Sequence, residues 1–248
     1  MIDHALYTLN QISNLSSESA HYQQQQTLNI RLRAVKQEAL ALGAQSALAY
    51  EAKNIDALLS SYSRYLDQIF DFNQLLLEKN VLPPVISDAD NSLAISGNAQ
   101  LLRAAGRTYK IIAKARFVTA PPTWRNYLYM DYTQPDLPNE ILLPKNDQEK
   151  LLWKKYTVEG WKQGIDQAVN IYKINLNKLV RDFNGMILYK KLLTQGVVSP
   201  VYVKSQYHGV TGDKNKLTLD DSTLQIENQP ELLKNQKLWL PALAKDKS

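Results

Sequence analysis

No cysteine occurs among the 248 residues. Disulfides, thiolate catalysis and cysteine-ligated metals are thereby excluded for this chain. An oxidising compartment is compatible with that absence, because an idle thiol is a liability there. Histidine is nearly as scarce, with only His4, His21 and His208. Two of these lie in a polar N-terminal arm and no pair has metal-ligand spacing, so exposed or structural roles are the reading and no cofactor or metal is expected. No uncharged apolar run approaches the roughly 18–20 residues of a membrane-spanning helix. No dense basic block occurs either. The 29 basic and 24 acidic residues leave a net charge of +5 spread along the chain. A nucleic-acid binder gathers its charge on one face or in one run, so direct nucleic-acid contact is not expected. The first residues lack a charged segment followed by an apolar one. If the protein is exported, the expectation is that a leader has been removed.

What is present changes along the chain. Residues 1–26 are rich in Ser, Asn and Gln, with Ser16-Ser17-Glu18-Ser19 and Gln23 to Gln26, and read as a flexible tether. From there Leu28, Leu32, Val35, Ala39, Leu42, Ser46 and Ala49 recur at alternating spacings of four and three. A second register runs through Ile55, Leu59, Tyr62, Leu66, Ile69, Asn73 and Leu76. Both are helix periods, and the shift between them predicts a kink or short turn near Lys53-Asn54. With tyrosines, Ser46 and Asn73 in the stripe, packing inside the chain is favoured over a seam for a neighbouring subunit. Pro83-Pro84 ends the helical pattern.

The middle third reads as β-hairpin pieces, Val85 to Ser87, Ser92 to Ser96 and Arg107 to Val118, separated by Asp88-Ala89-Asp90-Asn91 and by glycines, although the run from Arg107 could equally begin helical. A long irregular connector follows from Thr119, with Pro121-Pro122, the aromatic run Trp124 to Tyr132, and then Pro135, Pro138 and Pro144. Asn146 and Glu149 resemble a capping box. Beyond them Ile165, Tyr172, Leu179, Met186 and Leu193 repeat every seven residues, with Val169, Leu176 and Phe183 interleaved. Gly160 and Gly164 sit one turn apart and mark a bend or a close approach, and Gly196 is placed as a helix stop. Val201 to Val203 is β-favouring, and Leu217/Leu219 and Leu224/Ile226 alternate across Asp220-Asp221-Ser222, predicting a hairpin that turns there. The end after Pro230 reads as short and polar around Trp239.

Chemistry is hard to find. Gly209-Val210-Thr211-Gly212-Asp213-Lys214 lacks the spacing of a phosphate loop, and Asp213 with Asn215 lacks the Gly and Glu of a calcium loop. A turn before the hairpin accounts for it better. Asp67 and Asp71, one turn apart, read as a solvated helix face, not as paired acid and base. No catalytic residue is assigned. Trp124, Arg125, Tyr127, Tyr129 and Tyr132 are of the types enriched in interface cores and are the leading interface candidates, followed by Val201 to Ile226. The alternative, that these rings cap the helical core, is favoured slightly.

Four stretches in matching order carry a family resemblance: Leu82-Pro83-Pro84-Val85; Ala115-Arg116-Phe117-Val118-Thr119-Ala120-Pro121-Pro122-Thr123-Trp124-Arg125-Asn126-Tyr127-Leu128; Asp182-Phe183-Asn184-Gly185-Met186-Ile187-Leu188-Tyr189; and Gly209-Val210-Thr211-Gly212-Asp213. From about Arg31 to Pro230 the chain resembles the DotC/TraI family of type IVB secretion and conjugation systems. The resemblance implies an outer-membrane lipoprotein facing the periplasm. It would build a ring-shaped core complex with DotD-like and DotH-like proteins and copies of itself, without catalysis. The family's lipobox cysteine is not in this sequence, so a lipid anchor would lie upstream or be missing. The expected architecture is α+β. Two long helical segments carry small antiparallel β-hairpins in the middle and near the C-terminus, with one domain over 27–230 and a tail over 231–248. Two competing functions remain: a nucleic-acid-binding accessory factor of conjugation and, third, a hydrolase.

Overall fold

The computed structural model describes residues 20–96 and 101–235, and side chains over 30–90 and 106–235. Two long helices dominate: α1 (Ala20–Ser61) and, after a short α2 (Ser63–Ile69), much later α4 (Asp147–Thr194). Between them lie β1 (Val81–Leu82), β2 (Val85–Ser96), β3 (Leu101–Ala113), β4 (Arg116–Phe117) and the short α3 (Trp124–Leu128). The hairpin β5 (Tyr202–Gly212) and β6 (Leu217–Asn228) follows α4. Each sheet is a single antiparallel pair, β1–β4, β2–β3 and β5–β6. This is the α+β arrangement that the helical and alternating patterns predict.

The chain divides into two compact units. One takes Met1–Ser60 and Met130–Tyr172, the other Ser61–Tyr129 and Lys173–Ser248. Both are discontinuous in sequence. Residues 1–19 of the expected tether and 236–248 of the tail, with Trp239 and His4, fall outside the described residues. Residues 20–26 already belong to α1.

In the first unit, α1 and the start of α4 run in the same direction. Arg31 meets Glu149, Leu40 and Ala44 meet Gly160, and Ala44 and Ala47 meet Gly164. A Cβ on Gly43, Gly160 or Gly164 would stand 2.4, 2.2 or 2.2 Å from a backbone oxygen of the facing helix. Of the bend and close approach offered for Gly160 and Gly164, close approach is the one found. α4 runs unbroken through both, and Ala39, Ala47 and Ala168 extend the line of buried small side chains.

The same unit holds a lock on the chain before α4. Asn146 accepts the Glu149 N–H (2.9 Å), as a cap should. The Glu149 carboxylate, however, reaches the Lys145 N–H (2.8 Å) and takes two bonds from Arg31 (2.7 and 3.0 Å) instead of returning to Asn146. Arg31 also donates to the Ile141 and Leu143 carbonyls, tying this segment to α1. Arg31 first, and then the Lys145 amide, hold the buried Glu149 carboxyl below its ordinary range. A carboxylate with a lowered folded pKa contributes stability above its unfolded pKa and loses it as pH falls through the folded value. Glu149→Gln should therefore lower the melting midpoint by on the order of 5 °C near neutrality. The difference from wild type should shrink below about pH 4, and a constant difference across a pH series of melts would contradict this account.

In the second unit, Ile86, Tyr189, Leu192, Val197 and Val198 form the core cluster. Gly185 lets α4 lie against Val85 and Ile86. Gly196 closes α4 as expected: its φ is +68°, its N–H reaches the Leu193 carbonyl and the Val197 N–H reaches Leu192. Those paired bonds need a left-handed residue, which glycine adopts without a steric cost.

Three local expectations are corrected. α1 passes straight through Lys53-Asn54 and breaks at Tyr62. The second register also stops facing a core there, for Tyr62, Ile69 and Asn73 are exposed. β2 runs continuously through Asp88 to Asn91, where Asp90 faces and pairs with Arg107 (2.7 Å); the cross-strand pairing offsets the weak strand propensity of aspartate. Finally, the C-terminal hairpin turns at 213–216, where Asp213 accepts the Asn215 and Lys216 N–H groups. Asp220-Asp221-Ser222 lies inside β6, with Asp220 at φ +56° and register shifts in the facing strand. Sequence alternation flips at such a bulge as it would at a turn.

Candidate functional site

The aromatic connector is not wholly irregular. The Thr123 N–H donates to Asn126 Oδ1 (2.8 Å), which starts the one-turn helix α3. That turn buries Trp124 and Leu128 completely. The indole N–H of Trp124 donates to Asp67 Oδ1 (2.7 Å), and Arg125 grips the same carboxylate with two bonds (2.6 and 3.1 Å). The Arg125 guanidinium also lies 4.3 Å over the Trp124 ring. Arg125 first, and Trp124 second, hold the Asp67 carboxyl below its ordinary range.

Tyr127 stacks on Phe72 at 5.9 Å with the rings nearly parallel, and its hydroxyl donates to Asp182 (3.3 Å). Burial, followed by the Asp182 charge, pushes its phenol up to about 12. Tyr129 meets the edge of Trp124 (5.3 Å) and stays part exposed. Tyr132 is also part exposed but belongs to the first unit. The five candidates thus occupy different positions. Trp124 is core, Arg125 and Tyr127 are bonded into α2 and α4, and Tyr129 and Tyr132 offer ring surface.

Two carboxylates that the sequence presents as a helix-face pair have separate structural duties. Asp67 holds Trp124 and Arg125. Asp71 lies past the end of α2 and caps the next turn, accepting from the Asn73 N–H (3.0 Å) and the Gln74 amide (3.0 Å). The third histidine, His208, is hydrogen-bonded to Thr223 across the C-terminal hairpin. Among the described residues no group of three or more His, Asp or Glu is placed to hold a metal ion, and no helix is long and apolar enough to cross a membrane.

Exposed apolar side chains also lie on β5–β6, the second candidate region. Tyr202, Tyr207 and Val210 of β5 and Leu217, Leu219 and Leu224 of β6 are all exposed, Tyr207 to 68% and Leu217 to 70%. Among the described residues the two strands pair only with each other. The period-2 alternation marked these residues as strand, but with no core face to bury it could not say which side meets solvent.

Residues 29–241 match a family model described as type IV secretory system, conjugal DNA-protein transfer (TraI). The chain belongs to this family. The matched span of this TraI-family protein takes in both long helices from residue 29, the connector with all five aromatic and arginine candidates, and both strands of β5–β6. The TraI-family chain is accordingly a component of a type IV secretion and conjugation system. Among curated proteins none matches it.

Proposed function

We propose that this TraI-family protein is a non-enzymatic structural subunit of a type IVB outer-membrane core complex. It stands on the periplasmic face of the outer membrane, anchored through a lipid upstream of this chain. It assembles there with DotD-like and DotH-like proteins and with copies of itself. The observation that carries this reading is the β5–β6 hairpin. A lone two-stranded hairpin is marginally stable in water, and this one leaves six large apolar side chains exposed. Exposed large apolar side chains on such a hairpin suit protein–protein contact, and ring assembly requires such contacts on every subunit.

The test is recovery of the complex. The tagged protein, with its native leader, is extracted in mild detergent from cells carrying the whole transfer system, and co-purifying proteins and particles are identified by mass spectrometry and electron microscopy. Wild type should bring down DotD-like and DotH-like partners in a ring. Leu217→Lys with Leu219→Lys should fold normally, since both side chains stand in solvent, yet recover those partners at least about tenfold less. Undiminished recovery would remove the hairpin from the interface. A wild-type protein that emerges alone, or that binds DNA with a steep salt dependence, would overturn the core-complex reading in favour of a DNA-binding accessory.

A further inference from the structure

The second unit carries positive charge on its surface around Tyr127. Lys178 of α4 stands 5.9 Å from the centre of the Tyr127 ring. Burial first, and then Asp182, raise the Tyr127 phenol, and the nearby Arg116 and Arg181 charges oppose them. Three cations thus surround one carboxylate, and the carboxylate is the covered member. The Asp182 side chain is 13% exposed where that of Arg181 is 53% exposed. Arg116 and Lys178 are exposed, and among the described residues neither takes part in an ion pair. Phe117, next to Arg116 on β4, adds an exposed ring. A surplus of exposed cations around an aromatic group suits an acidic partner, since opposite charge speeds and directs the encounter.

The first unit carries a segment of that chemistry. Between Met130 and Pro144 the chain has the carboxylates Asp131, Asp136 and Glu140 and no basic residue. All three are exposed, and none is in an ion pair among the described residues. The segment is a strap held at both ends on α1. The Met130 N–H donates to Asp56 (3.2 Å), and Arg31 donates to the Ile141 carbonyl (2.8 Å). Asp56 and Arg31 are about 37 Å apart along α1, and the chain from Met130 to Ile141 covers at most about 40 Å. The strap therefore runs extended. Pro135 and Pro138 are half-buried, and between them Asp136 is exposed and Leu137 is exposed to 88%. A segment already pinned in one conformation loses little freedom when it docks.

We propose that this strap of one copy docks on the Tyr127 surface of the next copy, Asp136 and Glu140 meeting Arg116 and Lys178, and Leu137 meeting Phe117. The inference rests on the reading that copies of this chain assemble, and it names the surfaces they use. One chain carries both halves of a complementary pair. Strap and patch are different surfaces, so the contact is heterologous. Each copy gives one strap and receives one, which closes a ring when the rotation between copies allows it.

Because the chain has no cysteine, introduced pairs report without background. Leu137→Cys is combined with Phe117→Cys in one full-length variant. In another it is combined with Asn177→Cys, at an exposed position one residue before Lys178. Each is extracted from cells carrying the transfer system, oxidised and run without reductant, and co-purifying partners are scored in the same extract. At least one pair should give a ladder of trimers and larger species, while single-cysteine chains stop at dimers. Adding Arg116→Glu with Lys178→Glu should cut the ladder at least about tenfold. Adding Asp136→Lys with Glu140→Lys to that variant should restore it, which a misfolded chain could not do. No ladder from either pair would overturn the proposal, and partners recovered in that same extract would leave the core-complex reading standing. A ladder without those partners would sink the core-complex reading alone. Cross-links within single chains, or pairs that stop at dimers, would overturn the proposal too. So would a patch reversal that spares the ladder and instead loses another co-purifying protein, which would assign the cations to that protein.

Discussion

Trp124→Ala should unfold the protein, not merely detach it from partners. Trp124 is entirely buried, and truncating a buried tryptophan to alanine costs about 3–5 kcal/mol. A domain of ordinary stability has about 5–15 kcal/mol in total, so the variant would be marginal at growth temperature. The loss has two parts. The cavity removes packing around α3, and Asp67 loses the indole N–H donor it now accepts. Arg125 loses the ring under its guanidinium at the same time, so its grip on Asp67 weakens as the indole hydrogen bond is lost. Trp124→Phe separates these parts by keeping most of the ring volume while deleting the N–H, and should cost about 1–2 kcal/mol. Guanidinium unfolding followed by far-ultraviolet circular dichroism measures both. An unchanged midpoint for Trp124→Ala, with partners lost, would show that the residue is a contact surface and that its burial is not what stabilises α3.

This case shows where the sequence was legible and where it stopped. The density of Trp, Arg and Tyr between Pro122 and Tyr132 was visible, and so were its two meanings, core cap and interface. Choosing between them required knowing what lies across from Trp124. The answer is Asp67, distant in sequence and visible beforehand only as a carboxylate on a helix pattern. Periodicity performed well wherever one face of a helix is buried. None of the residues expected to line α4 from Ile165 to Leu193 is exposed, and Gly196 ends the helix by the bonds its position implies. It failed at Tyr62 and in β6, where the pattern slips while the backbone follows local geometry. The hairpins were legible as strands because alternation survives without a core, yet their turns were not, since Asp213 and Asp220 carry the same composition and only one closes the loop.

The second large effect lies in the first unit, on the glycines that separate α1 from α4. Gly164→Ala should destabilise it by about 2 kcal/mol or more, although alanine is the better helix former by about 1 kcal/mol. The contest between those magnitudes is decided by what the new Cβ meets. At Gly164 it would stand 2.2 Å from the Ala44 carbonyl oxygen and 2.7 Å from the Ala47 Cβ. Neither is the end of a flexible side chain, so the helices must move apart, and the same separation loosens the contacts of Gly43 with Thr157 and of Gly160 with Leu40. Asn170→Ala, at an exposed position on the same helix, supplies the contrast. It receives the propensity gain with no facing backbone and should raise stability by a few tenths of a kcal/mol. Hydrogen exchange adds a spatial reading: Gly164→Ala should speed exchange over residues 30–60 and 147–172 before it affects the core around Tyr189. If Gly164→Ala were as stable as wild type or more so, the two backbones could not be in contact at this point. The parallel packing of α1 on α4 would then have to rest on the larger side chains flanking the glycines, Leu40 and Leu48 among them.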